Sequence, residues 1–248
     1  MTRWIKVEAT GRSRGPAATV FDTARMDTPL YERPGWSKTS EMSKSLLWSG
    51  AHEALGVEIP FLPVEGRLVK IEPLGPEHKE EVRTAIDCDP EAWSILLVNP
   101  MGAGFEEYWA ANCGAPSTER LPYAIRRLSD GQVVGVSTYF TAKAKHGGVE
   151  IGATFLRPDV RAGFVNPETK LLMLGHAFDS GAVRVQFTVD VRNERSQAAV
   201  AKLGAVREGV LRRDTRTWTG HIRDTVIFSI LDSEWPAVKL RLEQRLVE

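Results

Sequence analysis

The residues best suited to chemistry lie between Val149 and Phe178, in the run VEIGATFLRPDVRAGFVNPETKLLMLGHAF. An apolar, strand-like stretch enters a loop of Arg and Gly, and the loop passes directly into a helix. Asn166 has the side chain of an N-cap, Pro167 suits the first helical position, and Glu168 complements the dipole of the first turn. Leu171, Leu174 and Phe178 then recur at helical spacing. A strand, a tight loop with free backbone N–H groups and a helix N-terminus together favour an anion, typically phosphate. Arg161 adds a guanidinium fork at the same place. An ordinary strand–helix connection carries the same residues, so this stretch alone leaves both readings open.

The elements that must position this loop lie on both sides of it. Downstream, Val183 to Val189 alternates as a strand. Asn193 can cap a short helix, Arg195 to Leu203, that turns Ala199, Val200 and Leu203 inward, and Gly204 can end it in a left-handed turn. The run REGVLRRDTRTWTGHIRDTVIFSI reads as two strands, near 207–218 and 222–231, joined around Thr219-Gly220. A terminal helix over 234–246 carries Trp235, Val238, Leu242 and Leu246 on one face. Upstream, Arg67 to Glu72 reads as a strand, Pro76 to Ile86 and Asp89 to Val98 as helices, and Phe105 to Asn112 as a short helical segment. Pro122 to Leu128 and Gln132 to Thr141 form a hairpin about Ser129-Asp130-Gly131. Glu150 to Leu156 is the fourth strand, and Pro167 to Asp179 the long helix. This order predicts an α/β fold (α+β, mixed sheet) with helices on both faces.

Residues 1–64 differ from the rest. Met1 to Pro16 is polar and rich in Arg, Gly and Ser, and Pro29, Pro34, Pro60 and Pro63 punctuate the remainder. Ser43 to Leu55 could form one short amphipathic helix. We read 1–64 as an N-terminal extension, either partly disordered, laid on the main domain, or an upstream mis-start ahead of Met26 or Met42, and 65–248 as the main domain.

With Asn193 and Ser196, K-L-G-A, E-G-V-L-R and R-D-T-V-I-F-S-I in this order, the chain resembles the GNAT N-acetyltransferase superfamily. Within it the sequence is most similar to the RimJ/RimL-like branch, which acetylates protein N-termini or related amines. The resemblance runs from about Glu65 to Leu246. The family normally starts near the E-G-R-L-V-x-I-E-P-L pattern found at Glu65 to Leu74.

The resemblance implies acetyl-CoA as co-substrate and a gap where the fourth and fifth strands splay apart to take its pantetheine arm. It implies that a backbone N–H at Phe155 or Leu156 polarises the acetyl carbonyl, a role compatible with a core side chain at Phe155. It aligns the pyrophosphate loop with Arg161, Ala162, Gly163, Phe164, Val165 and Asn166. Phe164 stands where the family has glycine. If that position needs positive φ, Phe costs about 1–2 kcal/mol, unless Gly163 takes over the turn. Asn193 would contact the pantetheine arm and Ser196 protonate the leaving thiolate; the alternative is a plain helix cap and its third residue. Glu150 would be the general base, directly or through water, or else a structural carboxylate paired with Arg223. Asp224 is a second carboxylate in the same cleft, and Tyr139 a third candidate for proton transfer. No Ser-His-Asp or Cys-His arrangement calls for a covalent intermediate, so direct attack by the amine is the simpler chemistry.

The implied function is transfer of acetyl to a primary amine: a protein N-terminus, an amino-sugar antibiotic or a small metabolite. The acceptor surface would come from residues 75–120, where Trp93, Phe105, Tyr108 and Trp109 cluster. The competing readings are a non-catalytic CoA-binding or partner-binding module and a dimerising regulator.

Composition narrows the classes. Thirty-two Lys and Arg balance 32 Asp and Glu for a formal net charge of +0, which argues against a nucleic-acid partner. No stretch approaches the roughly 20 apolar residues of a membrane span, and the N-terminus lacks a signal-peptide core. Cys88 and Cys113 match no metal spacing and read as thiols of a reducing cytoplasm. The five histidines are scattered, and no metal is expected.

Overall fold

Val69 and Ile71 are sealed from solvent while Lys70 and Glu72 between them keep some exposure, the alternation of a strand with one face on a core. In the computed structural model, which describes residues 56–112, the backbone of Cys113, and residues 119–247, this strand is the second of eight. They are β1 (Val64–Glu65), β2 (Val69–Pro73), β3 (Arg120–Arg127), β4 (Val133–Phe140), β5 (Gly148–Leu156), β6 (Arg184–Asp190), β7 (Val206–Arg216) and β8 (Ile222–Leu231). The helices are α1 (Lys79–Asp87), α2 (Gly104–Cys113), α3 (Val165–Asp179), α4 (Glu194–Leu203) and α5 (Trp235–Arg245). The expectations for residues 1–55, including the helix from Ser43, lie outside the described residues.

One mixed sheet runs in the order β1-β2-β3-β4-β5-β6-β8-β7. Every neighbouring pair is antiparallel except β5 and β6. A parallel pair needs a crossover, and α3 supplies it. The sheet separates two cores. On one face Val134, Ile151, Val185 and Phe187 pack with Met173 and Leu174 of α3, Leu203 of α4, and Val238 and Leu242 of α5. On the other, Val136 and Phe155 pack with Val82 and Ile86 of α1, Phe105 and Trp109 of α2, and Trp93. Burying a Leu, Met or Phe side chain of this kind contributes about 1.5–3 kcal/mol, so both helix layers are tied firmly to the strands between them. At Gly135 a Cβ would overlap the carbonyl oxygen of Phe155, so only glycine lets β4 approach β5 so closely.

The mixed sheet covered on both faces agrees with the sequence reading. The boundaries differ in three places. Val57 and Ile59 are buried in the first core, the Val57 N–H donates to the Ala144 carbonyl at 2.9 Å, and the Tyr123 hydroxyl donates to the Pro60 carbonyl at 3.2 Å. The segment from Gly56 thus packs with the main unit ahead of residue 65. The second helix expected over Asp89–Val98 is a 3-10 segment, Pro90–Ile95. Asp89 caps it by accepting from the Ala92 N–H at 3.3 Å, the Trp93 indole donates back to the Ile86 carbonyl at 3.2 Å, and Leu96 is already extended. A turn that tight favours short 3-10 geometry. Finally, α3 starts at Val165, so Asn166 lies inside the helix and is not its cap.

Candidate functional site

Strands β5 and β6 pair only through Gly148, Val149 and Glu150 against Arg184, Val185 and Gln186. Beyond that point β6 stays paired with β8 through Asp190, while β5 departs from it. Its departure is built by a bulge. Ala153 has φ 47, and the pairing of β4 with β5 shifts register between Val136 and Thr138. A bulge of this kind bends a strand and re-aims the groups after it. The Arg157 N–H donates to the Val134 carbonyl at 2.9 Å. The alternation of an antiparallel ladder therefore turns the Phe155 N–H to β4 as well, and the Leu156 N–H to the opposite edge, into the gap. Of the two expected polarisers, Leu156 is the one whose donor faces the opening.

Behind the bulge stands the buried Lys170 of α3. Its ammonium donates to Thr154 Oγ1 at 2.7 Å and to Ser137 Oγ at 3.1 Å, and the two hydroxyls are 2.8 Å apart. Burial pulls its pKa down to about 7. Sequence reasoning missed this residue. A lysine in a helix reads as exposed, and its two partners lie on other elements.

The loop from Arg157 to Phe164 leads into α3. Ala162, not Phe164, takes the left-handed conformation, with φ 62. Phe164 has φ −78 and ψ −20 and sits at the N-cap position without a side-chain cap. The backbone cost expected at Phe164 is therefore absent there. Ala162, Gly163 and Phe164 are exposed, while Val165 and Pro167 of the first turn are buried, so the backbone open to an anion is that of the loop just ahead of the helix. Two side chains depart from expectation. Glu168 does not serve the helix dipole: its carboxylate accepts from the N–H groups of Arg67, Leu68 and Val69, each at 2.8 Å. Arg161 is turned inward. Its Nε donates to the Leu156 carbonyl at 2.8 Å, Nη1 pairs with Asp89 Oδ2 at 2.5 Å, and the guanidinium lies 5.6 Å from the Phe155 ring centre. It ties the loop to the 3-10 segment and is not held out as a free donor.

At the start of α4, Asn193 is the cap: its Oδ1 accepts from the Ser196 N–H at 3.0 Å, and Gly204 closes the helix with φ 99. Ser196 is partly exposed. Both therefore sit at the helix end that follows β6, on the far side of the gap from Leu156.

Glu150 marks the last paired residue before the strands part. Its carboxylate accepts from the Thr188 hydroxyl at 2.6 Å and from the Gln186 amide at 3.4 Å, and a small depression of about 90 Å³ beside it opens to solvent. Among the described residues it makes no direct ion pair with Arg223. Asp224 is structural: its Oδ1 accepts from the Arg213 N–H at 2.7 Å. Tyr139 is sealed in the core, its hydroxyl donates to the Met173 carbonyl at 2.6 Å, and burial pushes its pKa well above 10. That removes it from proton transfer. The aromatic side of the cleft is closed by Trp93, stacked on Phe155 at 4.6 Å. The β7–β8 turn reaches across to it, with the Trp218 indole donating to the Trp93 carbonyl at 2.8 Å and the Trp218 N–H to the Leu97 carbonyl at 3.2 Å. The sequence marked the turn but not where it docks.

The gap thus offers an extended chain a row of backbone groups, the loop offers an anion a helix end, and a carboxylate stands where the two strands part. Among the described residues no group of three His, Cys, Asp or Glu could hold a metal, and no helix is long and apolar enough to cross a membrane. The sequence matches the family described as Acetyltransferase (GNAT) domain over residues 69–206. Solved structures share the architecture. A Thermus thermophilus protein described as an acetyltransferase is 42% identical over 75% of this chain and 97% of its own, with a TM-score of 0.65. A GCN5-related N-acetyltransferase from Brucella melitensis is 28% identical over 77% and 89%, with a TM-score of 0.72. Mycobacterium smegmatis RimJ, solved with CoA-disulfide, is 21% identical over 76% and 92%, with a TM-score of 0.63, a likeness of fold. No curated protein matches the chain. With more than half of its length matched by that family and the parted strands in place, the chain belongs to the GNAT acetyltransferase family.

Proposed function

We propose that this protein transfers acetyl from acetyl-CoA to a primary amine by direct attack. The observation that carries the reading is the parting of β5 from β6 immediately after Glu150. It places a carboxylate at the mouth of a gap lined by unpaired backbone. Acetyl-CoA would supply the activated thioester. The gap beside Leu156 and Asn193 would hold the pantetheine arm, and the backbone N–H groups from Ala162 to Asn166 the pyrophosphate. Glu150 takes the proton from the acceptor nitrogen, oriented by Thr188 and Gln186. The Leu156 N–H donates to the carbonyl oxygen where negative charge grows. Ser196, across the gap, returns a proton to the departing sulfur. The RimJ/RimL-like resemblance supports an acceptor among protein N-termini and related small amines. Inward-turned Arg161 favours a second reading, a CoA-binding module without turnover.

The test is release of free CoA thiol from acetyl-CoA in the presence of a panel of amines. Amine-dependent release should fall by roughly 10²–10⁴-fold in Glu150→Gln, with acetyl-CoA affinity unchanged. A folded protein that binds acetyl-CoA and releases no thiol with any amine would favour the module.

A further inference from the structure

Arg223, near the start of β8, is 7% exposed. Its Nε donates to Thr225 Oγ1 at 2.8 Å. Burial lowers its pKa, and the attraction of Asp190, Asp214 and Glu150 does not make up the loss. Each of these acids is directly engaged with another side chain. Asp190 accepts from Arg192 at 3.0 and 2.7 Å, Asp214 from the Thr225 hydroxyl at 2.7 Å, and Glu150 from Thr188 and Gln186. Among the described residues no carboxylate forms an ion pair with Arg223. Its two Nη groups make no hydrogen bond among the described residues and are not among the sealed unpaired atoms, which are Arg120 Nε and Thr169 Oγ1. A buried guanidinium whose neighbouring carboxylates are each engaged elsewhere, and none of them in a direct ion pair with it, is poorly compensated by the fold alone.

Its place relative to Glu150 gives this cation a use. Thr225 pairs with Asp190 across β6 and β8, and Thr188, which holds Glu150, lies two residues before Asp190 on β6. Residues two apart on a strand share a face and stand roughly 7 Å apart. An amine and a carboxylate on one carbon, with a hydrogen bond added at each end, span about 8 Å.

We propose that the acceptor is a small amine carrying a carboxylate next to the nitrogen, of the amino-acid class, and that Arg223 binds that carboxylate while Glu150 faces the nitrogen. The inference rests on the acetyl-transfer reading. A guanidinium fork suits a carboxylate bidentately. A peptide N-terminus has an amide at that position and leaves the fork unfilled, so this reading selects the free small molecule over the protein acceptor.

The experiment compares each standard amino acid with its primary amide as acceptor, for the wild type, Arg223→Gln and Arg223→Lys. The wild type should prefer the acid for at least one pair. Arg223→Gln should lose roughly 10–100-fold in kcat/KM on that acid, mostly through KM, with the amide and acetyl-CoA affinity unaffected, and Arg223→Lys should recover part of the loss. Equal use of acids and amides by the wild type, or equal loss of both in Arg223→Gln, would overturn the proposal. Should Arg223→Gln not fold, thermal stabilisation of the wild type in the presence of CoA decides. A shift with the amino acid that its amide does not give supports the carboxylate site, and equal shifts or none overturn it. That binding assay also stands if no amine is acetylated, in which case the acetyl-transfer reading fails separately.

Discussion

A lysine buried among hydroxyls costs the fold free energy that methionine in the same place would not. Lys170 has its pKa pulled by burial from 10.5 to about 7, a difference worth about 5 kcal/mol. Between pH 7 and 10.5 the unfolded chain holds a proton that the folded chain does not. Stability should therefore rise with pH through that window, and the full penalty applies below about pH 7. Lys170→Met leaves the Ser137 and Thr154 hydroxyls paired with each other. It should raise unfolding stability at about pH 7 and flatten its rise toward about pH 10, while turnover falls because the bulge loses its anchor. Denaturant titrations at a series of pH values check this; a destabilised variant with the same pH slope would count against it. Asn193→Ala should cost about 1 kcal/mol of stability and weaken acetyl-CoA binding, read by thermal melting and calorimetry. Asn193 was legible in the sequence because a cap acts on its own next turn. Lys170 and Glu168 were not: Glu168 closes on backbone 99 to 101 residues away, and helical periodicity carries no trace of such a partner.

The turn between β7 and β8 and the 3-10 segment after α1 meet through one tryptophan on each. Trp218→Phe removes the indole bond to the Trp93 carbonyl, worth about 1 kcal/mol. The KM for the amine should rise while acetyl-CoA affinity holds, because the contact borders the aromatic side of the cleft and the Arg161–Asp89 pair that ties the 3-10 segment to the loop before α3 stays in place. Equal weakening of both ligands would show that the two elements are not separable. The turn itself was readable from Thr219-Gly220, and Gly220 takes φ 84. The helix start at Val165 was not readable from Asn166 and Pro167, because Ala162 makes the left-handed step earlier and brings the chain into helical conformation by Phe164. Ala162→Gly should relieve that step and leave acetyl-CoA affinity equal or higher; a loss of affinity would mean the alanine methyl serves the loop.

At the scale of the molecule, alternation in β2 and β6 and the helical stripes of α3 and α5 made the layered sheet readable, since both depend on residues close in sequence. The gap itself was readable only through resemblance. No local pattern says that β5 and β6 pair for three residues and then part; that arises from the bulge at Ala153, from Gly135 admitting β5 closely, and from Lys170 behind it. The most direct test of what the gap holds is calorimetric titration of the protein with acetyl-CoA. Saturable one-to-one binding in the micromolar range, retained by Glu150→Gln, is the predicted result. No binding up to millimolar acetyl-CoA, by protein whose circular dichroism shows the mixed fold intact, would contradict it.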